Sequence, residues 1–224
     1  MTRVKICGLT REEDVDAAVD AGADAVGFIS GFPNSPRNLT IPRAASLMAR
    51  VPPLVTPVLV ITAQALVESS DAVKRMAPKA IQLYASSYSP ETIKASFHAF
   101  LLRPFTVGRE ENDEGAELLA KVKEAVRGYD ALLTDSYRKG YEGGTGLTSD
   151  WNVCSAIRKA IVPTPLILSG GLRPENVEAA VEAVAPFCVD VSSGVESAPG
   201  VKDHAKVKAF IAKATGAEGR RVAP

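Results

Sequence analysis

Two side chains that can transfer protons each stand at the end of a short apolar run. Cys7 ends residues 4–7, where a thiol is either a nucleophile or base, or a small buried hydrophobe. Asp135 ends residues 131–135, where a carboxyl is either an acid or base whose pKa burial can raise, or a cap of the next turn. Residue type and position alone leave both choices open for each residue.

Two glycine-containing turns follow the last two apolar runs and could hold an anion. Gly170 and Gly171 come first, and Ser192, Ser193 and Gly194 come second. Glycine lets the backbone approach a phosphate, and backbone N–H groups and serine hydroxyls donate to it. Both segments could instead be simple tight turns, but two of them at this pair of positions favour a phosphate site.

Two basic residues could pair with carboxylates. Arg37 ends the loop 31–37, and its planar fork suits a carboxylate, although a solvated surface arginine is the commoner case. Lys5 shares side-chain parity with Cys7, so both face the same side of a strand. If that side is interior, Lys5 needs a buried counter-charge, and Asp190 is the best candidate for a structural ion pair.

Eight apolar, β-branched runs recur at intervals of 21 to 35 residues, which suits a strand, a helix and two loops better than hairpins. They predict strands at residues 4–7, 25–29, 55–61, 80–84, 101–107, 131–135, 166–169 and 188–192. Helical patterns fill the gaps at residues 12–21, from Thr40, and at residues 63–76, 90–99, 114–126, 150–161, 174–184 and 203–214.

This alternation predicts a single-domain (β/α)8 TIM barrel of minimal size over residues 1–214, followed by a disordered tail at residues 215–224. An open doubly wound sheet is the alternative, but no GxGxxG follows a strand. Pro57 and Pro104 weaken the third and fifth strand predictions, because proline cannot donate to a sheet. The glycine-rich segment 140–146 is either a mobile lid or a long turn.

Composition excludes several classes of protein. The 224 residues carry 26 basic and 26 acidic side chains, so no bulk field attracts nucleic acid or an anionic membrane. No apolar run approaches the roughly 20 residues of a membrane span, and the first residues do not form a signal peptide. The scattered Cys7, Cys154 and Cys188 argue against disulfides and a CxxC site, and the two histidines form no metal motif. We expect a soluble, cytoplasmic protein without a metal.

Several short motifs occur in the order typical of one enzyme family, from residue 4 to about residue 213. They are Lys5-Ile6-Cys7-Gly8-Leu9-Thr10, Ala23-Asp24-Ala25-Val26-Gly27-Phe28, Ser35-Pro36-Arg37, Leu132-Leu133-Thr134-Asp135-Ser136, Gly143-Gly144-Thr145-Gly146 with Asp150-Trp151, Leu168-Ser169-Gly170-Gly171-Leu172 and Val189-Asp190-Val191-Ser192-Ser193-Gly194-Val195-Glu196. The chain thus resembles the phosphoribosylanthranilate isomerases. The resemblance implies a (β/α)8 barrel that catalyses one step of tryptophan biosynthesis.

The resemblance also implies roles for the residues singled out above. The reaction is the Amadori rearrangement of N-(5-phosphoribosyl)anthranilate to 1-(2-carboxyphenylamino)-1-deoxyribulose 5-phosphate, without cofactor or metal. Cys7 matches the general base and Asp135 the general acid. Arg37 matches the arginine that holds the anthranilate moiety, and the turns Gly170-Gly171 and Ser192-Ser193-Gly194 match the phosphate site. The implied partner is a small-molecule phosphosugar, and we expect a monomer or a homodimer.

The chain departs from the family pattern in residues 62–110. Gln82-Leu83-Tyr84-Ala85 stands where the family usually shows Gln-Leu-His-Gly, which bears on substrate fit more than on fold. Two alternatives therefore stay open. One is a related TIM-barrel isomerase or synthase acting on another phosphosugar. The other is a non-catalytic phosphosugar-binding protein, which would keep the glycine turns but could lose the acid or the base.

Overall fold

Eight parallel strands close into a barrel in the computed structural model, which describes residues 1–84, 88–107, 115–136 and 150–216. The strands are β1 Arg3–Cys7, β2 Ala25–Ser30, β3 Thr56–Thr62, β4 Ala80–Tyr84, β5 Phe100–Val107, β6 Ala131–Ser136, β7 Leu166–Leu168 and β8 Cys188–Val191. Each pairs with the next, and β1 pairs with both β2 and β8, which closes the ring. The predicted (β/α)8 architecture is confirmed.

The strands alternate with helices that cover the outside of the barrel. Those in the described ranges are α1 Glu12–Asp20, α2 Ile41–Met48, α3 Ala63–Glu68, α4 Ser70–Met76, α5 Pro90–Phe97, α6 Gly115–Ala125, α7 Trp151–Ala160, α8 Val177–Val184 and α9 His204–Thr215. Thr40 caps α2 as predicted, accepting a hydrogen bond from the Arg43 amide. None of these helices is long and apolar enough to cross a membrane.

The period-two pattern of each strand sorts its side chains into two layers, because successive residues point to opposite faces. One set packs under the helices in the main core, with Val4 and Ile6 of β1 among its members. The other set fills the barrel interior. Its buried apolar members are Cys7, Val58, Val60, Ala80, Leu102, Ala131, Leu133, Ile167 and Cys188.

Both prolines that weakened strand predictions lie within paired strands. Pro57 stands opposite Val26 in a register of six residue pairs between β2 and β3. Pro104 stands opposite Leu133 in a register of the same length between β5 and β6. Each proline removes one backbone donor, and the neighbouring residues of the strand keep the pairing.

The structure differs from the predicted elements in a few places. The helix predicted at residues 63–76 is two helices, because the backbone leaves helical geometry at Ser69 (φ −110°, ψ 16°). The helix predicted from Pro174 begins only at Val177. Three small elements were not predicted: a strand Asn38–Leu39 beside β2, a 3-10 helix Ser193–Val195, and a hairpin of Glu196–Ala198 with Val201–Lys202 after β8.

Two predictions fall mainly outside the described residues. The glycine-rich segment 140–146 lies in the undescribed range 137–149. The predicted tail begins inside the structure, since α9 extends to Thr215 and is capped by Gly216. Residues 217–224 are not described, so the disordered tail stays a prediction.

Candidate active site

The carboxyl ends of the strands surround one cavity of about 600 Å³. Every residue singled out from the sequence as a site residue contributes to its lining. They are Cys7, Arg37, Asp135, Gly170, Gly171, Ser192, Ser193 and Gly194. The fold brings them together because parallel barrel strands all end on the same face. A thiol, a half-buried carboxyl, a guanidinium and two glycine turns therefore share one space.

Cys7 stands above a buried ion pair. Its side chain is buried at the carboxyl end of β1, and Lys5 lies two residues earlier on the same face. The Lys5 Nζ donates to Asp190 Oδ1 at 2.8 Å and to Gln82 Oε1 at 3.2 Å. The pairing of Lys5 with Asp190 that strand parity predicted is confirmed.

The protonation of Cys7 follows from its burial and its charged neighbours. Burial raises the pKa of the Cys7 thiol, and Lys5 and Lys202 offset this only in part. Burial would lower the pKa of Lys5, but Asp190 and Cys7 outweigh it and raise that pKa. At neutral pH Lys5 is therefore charged, and Cys7 is a thiol when the cavity is empty.

The close approach of β2 to Cys7 requires a glycine. A Cβ atom at Gly27 would lie 2.7 Å from Cys7 Sγ and 3.3 Å from Lys5 Nζ. Any larger residue would push the thiol and the ammonium out of place. Gly27 therefore leaves the space in which these two groups lie side by side.

Arg37 is paired through one edge of its guanidinium. Its Nε and Nη2 donate to the two oxygens of Glu196 at 2.7 and 2.6 Å, and its side chain is only 14% exposed. Lys202 Nζ also donates to Glu196 Oε1, at 2.9 Å. Burial would raise the pKa of Glu196, but these two cations hold it below its ordinary value. The interpretation of Arg37 as a solvated surface arginine is wrong.

The turn Ser192-Ser193-Gly194 packs against the segment that follows the turn Gly170-Gly171. A Cβ atom at Gly194 would collide with the carbonyl oxygen of Leu172, which follows Gly170 and Gly171. Lys202 Nζ donates to the Ser192 carbonyl oxygen at 3.0 Å. The Ser192 hydroxyl is buried and has no hydrogen-bond partner among the described residues. The turn therefore places a buried hydroxyl in the cavity lining, where it is available to a bound molecule.

An aromatic pair occupies another part of the cavity lining. The rings of Phe32 and Tyr84 meet edge to face, with centroids 5.3 Å apart and planes at 85°. Burial raises the pKa of Tyr84 well above its ordinary value, and the negative charge of Asp135 adds to the effect. The phenol is therefore neutral throughout the physiological pH range.

Sequence reasoning did not assign roles to Gln82, Glu196 and Lys202. Gln82 carried a signal, since it is a polar residue in the apolar strand 80–84. Glu196 stood in a motif that carried the resemblance, but nothing in the sequence indicated its partner. Lys202 gave no signal, because the hairpin that holds it was not predicted. In the described residues, no three histidine, cysteine or acidic side chains gather as a metal site.

Comparison with known proteins points to one family. Residues 4–213 match the family model described as N-(5'phosphoribosyl)anthranilate (PRA) isomerase. A Halobacterium salinarum protein named N-(5'-phosphoribosyl)anthranilate isomerase is 44% identical over 221 residues, which cover 96% of either chain. The crystal structure of phosphoribosyl anthranilate isomerase from Thermotoga maritima matches with a TM-score of 0.80 and 35% identity, covering 96% of this chain and 100% of that one.

A further crystal structure resembles this chain and carries a ligand. It is phosphoribosyl anthranilate isomerase in complex with reduced 1-(o-carboxyphenylamino)-1-deoxyribulose 5-phosphate. It matches with a TM-score of 0.78 and 33% identity, over 96% of this chain and 100% of that one. The similarity therefore extends over nearly the whole barrel.

Proposed function

Because the chain belongs to the N-(5'-phosphoribosyl)anthranilate isomerase family, we propose that Cys7 and Asp135 perform the two proton transfers of its reaction. The protein is an isomerase that rearranges N-(5-phosphoribosyl)anthranilate to 1-(2-carboxyphenylamino)-1-deoxyribulose 5-phosphate in tryptophan biosynthesis. The observation that carries the residue assignment is the placement of a buried thiol and a carboxyl in one cavity with anion-binding groups.

Asp135 is the general acid that opens the sugar. It gives its proton to the ring oxygen while the bond between that oxygen and C1 breaks. The nitrogen lone pair then forms the C1=N bond of a cationic Schiff base. The acid is needed because an alkoxide would be a poor leaving group without protonation.

Cys7 is the general base of the second step. It takes the proton from C2, and the electrons of the C2–H bond form C1=C2 while those of C1=N return to nitrogen. The resulting enolamine tautomerises to the amino ketone. A thiol reacts as a base only in its thiolate form, and the cationic imine beside it stabilises that form in the complex.

The two ends of the substrate are held by different groups. Arg37 keeps Nη1 free of hydrogen-bond partners in the described residues, and this nitrogen is available for the anthranilate carboxylate. The turns Gly170-Gly171 and Ser192-Ser193-Gly194 receive the phosphate through backbone N–H groups, and the Ser192 hydroxyl donates in addition. Gripping both anionic ends fixes the sugar between acid and base.

The substrate and the composition of the chain indicate the binding partners and the cellular location of the enzyme. The small-molecule phosphosugar is its partner, and we expect the balanced charge of the chain to leave nucleic acid and membranes unbound. We infer a cytoplasmic monomer or homodimer. Size-exclusion chromatography with light scattering distinguishes the two oligomeric states.

Paired substitutions test the assigned roles. Asp135→Asn and Cys7→Ser should each lower kcat by at least about 10²–10⁴-fold, the usual contribution of general acid or base catalysis. Reduced 1-(o-carboxyphenylamino)-1-deoxyribulose 5-phosphate, here called the reduced product, should bind with a Kd near the wild-type value. Both groups that bind the anionic ends of the ligand are intact in these variants. Cys154→Ser is the matched control, since Cys154 lies in α7, in the core outside the cavity lining.

The outcomes separate the roles from the activity itself. A variant of Cys7 or Asp135 with near wild-type kcat would show that its assigned role is wrong. Failure of the wild-type gene to rescue a tryptophan auxotroph lacking this step, together with failure of the pure protein to convert the substrate, would contradict the activity. Substrate opened beforehand should rescue Asp135→Asn more than Cys7→Ser, when assayed faster than spontaneous ring opening.

A further inference from the structure

A chain of hydrogen bonds crosses the barrel interior beneath the cavity and ends on Tyr84. Asp190 accepts from Lys5 Nζ at 2.8 Å, and Lys5 Nζ also donates to Gln82 Oε1 at 3.2 Å. Gln82 Nε2 then donates to the Tyr84 hydroxyl oxygen at 3.1 Å. Asp190, Lys5 and Gln82 are buried, so water does not compete for these contacts. The chain connects β8, β1 and β4 in one network.

The chemistry of these groups fixes the direction of every hydrogen bond in the chain. A lysine ammonium has three N–H donors and no acceptor, so the carbonyl oxygen of Gln82 must face Lys5. The amide NH₂ of Gln82 then faces Tyr84 and can only donate. The Tyr84 oxygen is consequently the acceptor in that contact, and its own hydrogen points away from Gln82.

The Tyr84 hydrogen is available to a molecule in the substrate cavity. Among the described residues no acceptor for it lies within hydrogen-bond distance, and Tyr84 lines the cavity together with Cys7 and Asp135. The edge-to-face contact with Phe32 restricts rotation of the ring. Burial raises the pKa of Tyr84, and Asp135 adds to the effect, so the hydroxyl keeps its hydrogen at neutral pH.

We propose that Tyr84 is a substrate-binding residue whose O–H donates a hydrogen bond to the C3 hydroxyl oxygen of the pentose. This inference rests on the proposed function, in which Cys7 acts at C2 and Asp135 at the oxygen on C4. C3 lies between these two atoms, and Tyr84 lines the same cavity as Cys7 and Asp135. The Tyr84 hydroxyl therefore recognises the C3 hydroxyl, which lies between the two sites of proton transfer.

Binding of the reduced product tests this role without involving the chemical steps. Tyr84→Phe should raise its Kd about fivefold, the usual effect of losing one neutral hydrogen bond. The Kd of inorganic phosphate should not change, which shows that the barrel is folded. Tyr129→Phe is the matched control, because the Tyr129 hydroxyl contacts Arg103 rather than the cavity.

A second variant tests the direction of the hydrogen bonds. In Gln82→Glu, the carboxylate can accept from Lys5 with one oxygen and from Tyr84 with the other, which turns the Tyr84 hydrogen away from the cavity. The Kd of the reduced product should rise as in Tyr84→Phe, and the double variant should add little. A reduced product that lacks the C3 hydroxyl should bind wild type and Tyr84→Phe equally.

The possible results test the role of Tyr84 separately from the proposed function. Unchanged affinity of Tyr84→Phe for the reduced product, an equal loss of affinity for the ligand without the C3 hydroxyl, or additive losses in the double variant would each overturn the role of Tyr84. Absence of both turnover and reduced-product binding in the wild type would instead contradict the proposed function.

Discussion

Arg37 gives the Nε–Nη2 edge of its guanidinium to both oxygens of Glu196, at 2.7 and 2.6 Å. The two residues are 159 positions apart in the chain and meet because the hairpin Glu196–Ala198 with Val201–Lys202 follows β8 at the cavity edge. A bidentate pair of this kind fixes the plane of the guanidinium as well as its position. Glu196 thereby sets the direction of the edge that remains for substrate.

We expect Glu196→Gln to weaken substrate binding more than turnover. The amide loses the charge and one acceptor, so the guanidinium of Arg37 is no longer held in its plane. KM should rise about tenfold, as expected for the loss of a charge-assisted contact worth about 1.5 kcal/mol, while kcat stays within a small factor. Steady-state kinetics measure both constants.

Arg37→Ala should resemble Glu196→Gln, and the double variant should add little because both remove the same contact. Glu12→Gln is the control, because Glu12 pairs with Arg43 at the protein surface. An unchanged KM with a collapsed kcat in Arg37→Ala would show instead that Arg37 acts chiefly in the transition state.

The phosphate site gives a prediction that needs no turnover. Ser192→Ala should raise the Kd of inorganic phosphate about fivefold, since it removes one hydroxyl donor. Gly194→Ala should raise it more, because the added Cβ meets the carbonyl oxygen of Leu172 and displaces the turn. Isothermal titration measures the affinities, with Ser197→Ala in the exposed hairpin as control. A liganded structure with the phosphate elsewhere would disprove the site.

Alkylation of Cys7 should depend on pH as expected for a thiol with a raised pKa. Only the thiolate reacts, and its fraction grows as pH rises toward the pKa of the group. We expect slow alkylation by iodoacetamide at pH 7 and a rise of about tenfold per pH unit beyond pH 8.5, the ordinary value for a free thiol.

Cys154→Ser/Cys188→Ser leaves Cys7 as the single cysteine for this measurement, and mass spectrometry follows the modification. The reduced product should protect the thiol, because it fills the same cavity. A rate that levels off below pH 8 would mean that Lys5 and Lys202 outweigh burial.

The buried pair of Lys5 and Asp190 should affect stability strongly when one partner is lost. Lys5→Met leaves a carboxylate in the barrel interior without its cation, which should cost about 3–5 kcal/mol in the free energy of unfolding. Lys5→Met/Asp190→Leu should cost less than the two single substitutions together, because it removes both charges. Urea denaturation measures these values.

Arg3→Gln is the matched control for the ion pair, since Arg3 contacts Asp24 at the protein surface. Its loss should change the free energy of unfolding by no more than about 1 kcal/mol. Equal effects of Lys5→Met and Arg3→Gln would show that burial does not determine the contribution of the interior pair.

The sequence predicted those parts of the site that follow directly from strand position. Cys7 and Asp135 each end an apolar run, and a parallel barrel gathers such ends on one face. The pairing of Lys5 with Asp190 was predictable as well, because strand parity places both side chains inside and a buried ammonium requires a counter-charge.

The remaining parts depend on contacts that leave little trace in the sequence. Glu196 meets Arg37 through strand segments of three and two residues, which are too short to show a period. The break at Ser69 lies in a helical pattern with neither glycine nor proline to end the helix. The contact of Gln82 with Tyr84 depends on side-chain conformations, which periodicity does not specify.

The ion pair inside the barrel also makes the catalytic centre dependent on the order in which the chain folds. Lys5 and Asp190 are 185 residues apart, and Asp190 belongs to the last strand of the ring. During synthesis, β1 emerges long before Asp190 exists, so a partial barrel holds the Lys5 ammonium without its counter-charge. The cost of enclosing that charge disfavours early closure. Catalytic activity during translation or refolding therefore reports the docking of the final strand.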